Sequence, residues 1–317
     1  MVPDYLATLI KSWKSQPRLK FLRLPLGACA LSIIIGLGWY LVDDQVSNQD
    51  DDHESKGQSV KLIYEQDNTA KDNILTSASS KPPRAISWSS PLRKQCSGID
   101  PNILLRLNLL QKKLINDRKD WPIHESNYGK RHHWDIYGRR LNTSPRLVIL
   151  HETSGSLTSA YNTFKDNHPK DEWQVSYHTM ISLDGKVADL VDPHLRAYGA
   201  GNSAFLGEWA VTNPRLTGSV NNFALHLSLE TPWDGRHLGP SHSGYTQAQY
   251  DSLALVLSQW MHRFSIPAQN ITTHQHVDLA GERSDPRSFS WKDLQIRLAA
   301  LDHLCNRKGK LDKGKFR

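Results

Sequence analysis

The sequence predicts an α/β fold with a mixed central β-sheet flanked by helices, preceded by one N-terminal transmembrane helix. Three observations carry this expectation. Short apolar runs suited to buried strands, Leu147-Val148-Ile149-Leu150 and Ile271-Thr272-Thr273, alternate with segments of helical period. The stretch 223–230 places Phe223, Leu225, Leu227 and Leu229 on one face, and His226, Ser228 and Glu230 on the other. Residues 24–42 carry no charge at all, close to the ~20 apolar residues that a helix needs to cross a bilayer.

Lys11, Lys14, Arg18, Lys20 and Arg23 precede that span, and Asp43 and Asp44 follow it. The basic flank is expected to stay in the cytoplasm, sending the rest of the chain outward. The alternative is a cleaved signal: Ala28-Cys29-Ala30 has the small residues of a cleavage site, and Leu26-Gly27-Ala28-Cys29 loosely has those of a lipobox. Both would cut at the start of the apolar run and leave its greasy half on the mature chain. The reading is therefore an uncleaved anchor in the plasma (inner) membrane, with the folded part outside.

Boundaries follow from composition. Residues 1–23 form a cytoplasmic basic segment, 24–42 the anchor, and 43–84 a polar linker containing Asp50-Asp51-Asp52 and Ser79-Ser80-Lys81-Pro82-Pro83. An N-terminal extension of the domain spans 85–144, the main domain 145–305, and a basic tail 306–317. Among 317 residues, 38% are hydrophobic and 22% charged, enough for a globular core. The net charge of +7 is scattered and comes with no nucleic-acid motif, so no nucleic-acid partner is expected.

Within the folded part, 102–116 has helical spacing through Ile103, Leu107, Leu110 and Leu114. Residues 175–181 and 187–191 read as two strands joined by a hairpin at Asp184-Gly185. Thr246-Gln247-Ala248-Gln249 is a capping box that opens a helix, which Pro267 closes. A last amphipathic helix is expected over 291–304. Of three cysteines, Cys29 lies in the span, while Cys96 and Cys305 bracket the folded region. In an oxidising exterior those two could bridge, although sequence leaves their distance open.

The chemistry concentrates where two apolar strands end in histidine, at Leu150-His151 and Thr273-His274. Asp285, in Arg283-Ser284-Asp285-Pro286, is a third potential ligand. Two imidazoles and one carboxylate suit zinc with a fourth position left open.

The residues around these positions resemble the type-2 N-acetylmuramoyl-L-alanine amidases, whose fold is shared with peptidoglycan recognition proteins. The resemblance runs in order through Leu147-Val148-Ile149-Leu150-His151-Glu152-Thr153, then 174–181 with Asp184-Gly185, Ala200-Gly201-Asn202-Ser203, and 271–274 with 283–286. It covers roughly Pro145 to Phe289. The segments 219–232 and 242–246 look most like cyanobacterial members. The resemblance implies a zinc amidase domain over 145–305 that hydrolyses the amide between N-acetylmuramic acid and L-alanine. Peptidoglycan and muropeptides are the expected partners, together with the inner membrane through the N-terminal helix.

It also implies roles. His151, His274 and Asp285 fall on the zinc ligands. Tyr177 falls where a tyrosine donates to the developing oxyanion, and Arg283 where relatives often carry a catalytic lysine. The guanidinium could stabilise charge there but could not shuttle protons. Two departures stay open. His276 competes with His274, since the family spacing of ten to the aspartate lies between the two. The general-base glutamate of some members aligns near Ser228, so Glu230, on the same strand face, is the candidate base; alternatively no glutamate acts. A non-catalytic peptidoglycan-binding module is the rival reading, but such domains characteristically lose a zinc ligand and here all three positions are filled.

Overall fold

The computed structural model describes residues 87–236 and 239–305. The expected span 24–42, the linker 43–84 and the tail 306–317 lie outside the described residues. Among those described, no helix is long and apolar enough to cross a membrane.

The chain builds α1 (Pro101–Asp117), β1 (Lys119–Asp120), β2 (Tyr128–Lys130), β3 (Leu147–Glu152) and α2 (Leu157–Lys165). Then come β4 (Thr179–Ile181), β5 (Val187–Asp189), β6 (Leu195–Ala197) and β7 (Ala224–Leu229). The remainder is α3 (Gln247–Phe264), β8 (Ile271–Thr273), α4 (His274–Val277) and α5 (Trp291–Ala300). Six strands form one mixed sheet in the order β1-β5-β4-β7-β3-β8, while β2 and β6 pair as a separate antiparallel ribbon.

β3 lies between two parallel neighbours, with Leu150 opposite Leu227 of β7 and Thr273 of β8. A strand paired on both edges and covered on both faces has no solvent side, which is why its sequence is continuously apolar up to His151. Val148 and Leu150 of β3 and Leu225, Leu227 and Leu229 of β7 join the core formed with α1, α3 and α5. Leu147, Ile149 and Ala224 belong to a second cluster with Phe223 and Val277. Because side chains alternate along a strand, His151 shares a face with Leu147 and Ile149, and His226 with Ala224 and Ser228. That face meets the site.

Each helix is set by local chemistry. Asp100 caps α1 through the Asn102 N–H at 2.8 Å, and Pro101 occupies the first turn, where its missing N–H costs nothing. Thr246 and Gln249 form both halves of the capping box on α3. The three helices are joined by a buried ionic cluster in which Asp251 of α3 accepts from Arg106 of α1 and Arg297 of α5, each at 2.6 Å. Cys96 and Cys305 are disulfide-bonded, and the Gln95 N–H donates to the Leu304 carbonyl beside them.

Several expectations differ in detail. The strand expected over 175–181 is regular only in β4, because Ser176 bonds instead to Tyr198 and Asn127. Both faces of β7 are buried: His226 and Ser228 are as inaccessible as Leu225 and Leu227, since β7 is central and parallel. The helix expected over 291–304 stops at Ala300, and Asp302 turns the chain in the left-handed region with φ 64°.

Candidate metal centre

His151 is placed by β3, and His274 directly follows β8 as the first residue of α4, so both imidazoles emerge at the carboxyl ends of adjacent parallel strands. Open α/β sheets present their sites at this edge. Asp285 reaches them from the loop after α4, where its carbonyl accepts the Gln275 N–H at 3.1 Å. The Asp278 carboxylate shapes the intervening turn by accepting the N–H groups of Ala280, Glu282 and Arg283.

The three side chains converge. His151 Nδ1 lies 3.2 Å from Asp285 Oδ2, and His274 Nδ1 lies 3.0 Å from Asp285 Oδ1. One donor atom from each of the three falls within 4.8 Å of the others. His276 does not join them: its Nδ1 is 2.5 Å from Thr273 Oγ1, and its ring packs edge-on against Trp88.

The electrostatics match a cation site. Burial lowers the His151 imidazole to about 4, keeping it neutral and able to offer a lone pair. Burial pushes the Asp285 carboxyl up, yet the hydrogen bonds of His151 and His274 hold it below the usual carboxylate range. Two imidazoles and one carboxylate are a zinc donor set, and the nitrogens facing Asp285 are Nδ1 in both histidines. The residues therefore fit the metal.

A cavity of about 1100 Å³ opens beside the centre and is lined by His274, Asp285, Tyr177, Arg283, Glu152 and Trp173 among others. Tyr177 stacks on His151 with ring centroids 4.6 Å apart, and burial followed by the charge of Asp285 pushes its hydroxyl well above the ordinary value, so it stays protonated. Arg283 is exposed in the cavity wall; only its backbone N–H, not its guanidinium, engages Asp278.

Glu230 is placed differently from the expectation of a general base. Its carboxylate accepts the N–H groups of Leu157 and Leu183, each at 3.1 Å, and pairs with Arg236 at 3.2 Å. It is absent from the cavity lining. Its carboxylate thus ties the first residue of α2 and the turn after β4 to the end of β7. Ser228, on the same strand face, is wholly buried, and its Oγ has no partner among the described residues.

Two residues near the centre escaped sequence reasoning. Glu152 follows His151 on the opposite face and accepts from Tyr245 Oη at 2.6 Å, from His242 Nε2 at 3.0 Å and from Arg287. His226 lies with Nδ1 3.0 Å from His151 Nε2. Its one signal was the shared face with Ser228 and Glu230.

Residues 141–288 match the family model described as N-acetylmuramoyl-L-alanine amidase. The 1,6-anhydro-N-acetylmuramyl-L-alanine amidase AmpD of Citrobacter freundii is 30% identical over 132 residues, covering 41% of this chain and 60% of the relative. The AmpD of Enterobacter cloacae is 31% identical over 126 residues, covering 39% and 57%. This chain thus spans about 60% of the length of the curated relatives it matches. A crystal structure of a selenomethionine derivative of AmpD aligns with a TM-score of 0.42 and 22% identity, covering 57% of this chain and 94% of that one.

Proposed function

Starting from the match of residues 141–288 to the family model described as N-acetylmuramoyl-L-alanine amidase, we propose that this chain is a zinc-dependent hydrolase. Its substrate on this reading is the amide between N-acetylmuramic acid and L-alanine in peptidoglycan. The observation that carries the reading is the convergence of His151 Nδ1, His274 Nδ1 and the Asp285 carboxylate at the rim of an open cavity.

His151, His274 and Asp285 would hold the zinc. When bound, the metal supplies Lewis-acid activation of water and of the amide carbonyl. The chain supplies the rest. Tyr177, kept protonated by burial, donates a hydrogen bond to the oxygen on which negative charge develops. Arg283 sets a permanent positive charge at the same wall, stabilising that oxyanion without exchanging a proton. Such groups are most effective when already positioned, and the stack of Tyr177 on His151 holds the phenol in place. Glu230 is not used as a general base in this reading, because its carboxylate is already committed to the Leu157 and Leu183 N–H groups and to Arg236.

The reading extends to location. A disulfide between Cys96 and Cys305 suits an oxidising compartment, and the uncharged run 24–42 behind a basic flank suits an anchor with the domain outside. The wall itself is then the substrate.

The test is release of peptide from intact sacculi and from soluble muropeptides, followed by mass spectrometry. Wild type should yield stem peptides with a free L-alanine N-terminus, and Asp285→Ala should yield none. Release undiminished in Asp285→Ala eliminates the metal-assisted reaction. Binding without release by the zinc-loaded wild type makes the domain a recognition module.

A further inference from the structure

The interior side of the centre holds a second imidazole system that the amidase reading does not use. His226 is wholly buried in β7, and its Nδ1 sits 3.0 Å from His151 Nε2, the ring nitrogen turned away from Asp285. Behind it lies His178, whose Nδ1 accepts the backbone N–H of His226 at 2.9 Å and whose Nε2 lies 3.3 Å from the Leu195 carbonyl. The His178 and His226 rings stack with an interplanar angle of 8°.

The proton positions follow from these contacts. His178 accepts at Nδ1, so it carries its proton at Nε2 and donates it to Leu195. A metal held through His151 Nδ1 requires the His151 proton on Nε2, where the only neighbour at hydrogen-bond distance among the described residues is His226 Nδ1. His226 must then accept at Nδ1 and keep its own proton on Nε2. That atom is buried with no partner among the described residues, an arrangement that costs stability.

Space for the ring has been made deliberately. A Cβ on Gly199 would lie 2.4 Å from His226 Nδ1 and 2.5 Å from Cγ, so any side chain there would collide with the imidazole. Gly199 has no left-handed backbone to explain it; the close approach of the ring does.

We propose that His226 is a positioning residue for the metal centre: its Nδ1 accepts from His151 Nε2, fixing the tautomer and orientation in which His151 Nδ1 faces the cation. The inference rests on the zinc reading of His151, His274 and Asp285. Partners on the far nitrogen of a ligating histidine fix its ring and raise its basicity, and losing one typically weakens metal binding about tenfold to hundredfold. A neutral imidazole here does what a carboxylate or carbonyl does in most such sites.

The experiment measures zinc affinity of the full chain by competition with a chromophoric chelator, alongside urea unfolding of the metal-free protein. His226→Leu removes the acceptor, whereas His226→Asn puts an amide oxygen near the position of Nδ1. The expected result is zinc binding weaker by about tenfold to hundredfold in His226→Leu and within about threefold of wild type in His226→Asn. In metal-free His226→Leu one unpaired buried N–H is removed while His151 Nε2 loses its partner, so the two effects on unfolding oppose each other and the zinc affinities carry the test. Equal affinity for wild type and His226→Leu overturns the inference, as does His226→Asn binding as weakly as His226→Leu. A wild-type chain that takes up no zinc overturns the metal-site reading, and this inference with it. Should either variant fail to fold, nitrogen-15 NMR of the zinc-loaded wild type decides: His226 protonated at Nδ1 rules the arrangement out.

Discussion

The carboxylate of Glu152 accepts the backbone N–H of Arg287 at 3.1 Å and pairs with its guanidinium as well. The residue after one proposed zinc ligand therefore holds the loop that carries another, since Arg287 lies two positions beyond Asp285. Arg287 also donates to the carbonyls of Gly235 and Gly239 at 2.6 Å. Removing one member of a buried charged pair leaves the other uncompensated and costs about 3 kcal/mol or more. Glu152→Ala is expected to lower the unfolding free energy by that order in urea titrations.

Loading the centre should stabilise the fold. Zinc at a hundredfold above its dissociation constant is expected to add about 2.7 kcal/mol, seen as a rise in the thermal midpoint that a chelator reverses. Asp285→Ala should show no rise. A midpoint that responds to zinc equally in both would place the metal elsewhere.

Glu230 separates anchoring from catalysis. Glu230→Gln keeps the shape but removes the charge that faces Arg236 and weakens acceptance from Leu157 and Leu183. Stability should fall by about 1–2 kcal/mol, while the kcat of properly folded enzyme stays within about threefold of wild type. A large loss of kcat with unchanged stability would restore the general-base role.

Acid should destabilise the domain through His178. Burial lowers this imidazole to about 3, whereas in the unfolded chain it protonates near 6.5. The unfolded state thus binds the extra proton, so the contribution is complete above pH 6.5 and is lost as pH falls from there toward 3. By pH 5 the loss from this group is about 2 kcal/mol. His178→Asn should show a correspondingly shallower decline than wild type when urea unfolding is compared at pH 7.5 and pH 5.

These outcomes divide what the chain declares from what only folding reveals. The buried strands were legible because central parallel strands need unbroken apolar runs, and His151 and His274 because both terminate such runs. The capping box at Thr246 was legible from four consecutive residues. The direction of Glu230 was not, since it depends on the start of α2 at Leu157 and the turn at Leu183 closing over the end of β7. Nor was the His151–His226 contact: it requires the register that sets His151 opposite Ser228, and a period-two pattern fixes a face without fixing a neighbour. His274 and His276 differ by two positions in sequence, and the start of α4 at His274 separates them.

The sulfur bond between Cys96 and Cys305 encloses a sequence separation of 209 residues, which contains the whole sheet and every residue of the centre. Tension applied to the two ends of the domain would run through that covalent closure and bypass the sheet. The strands inside could not be drawn out by pulling, so the geometry of the centre would be insulated from mechanical load for as long as the bridge stays oxidised.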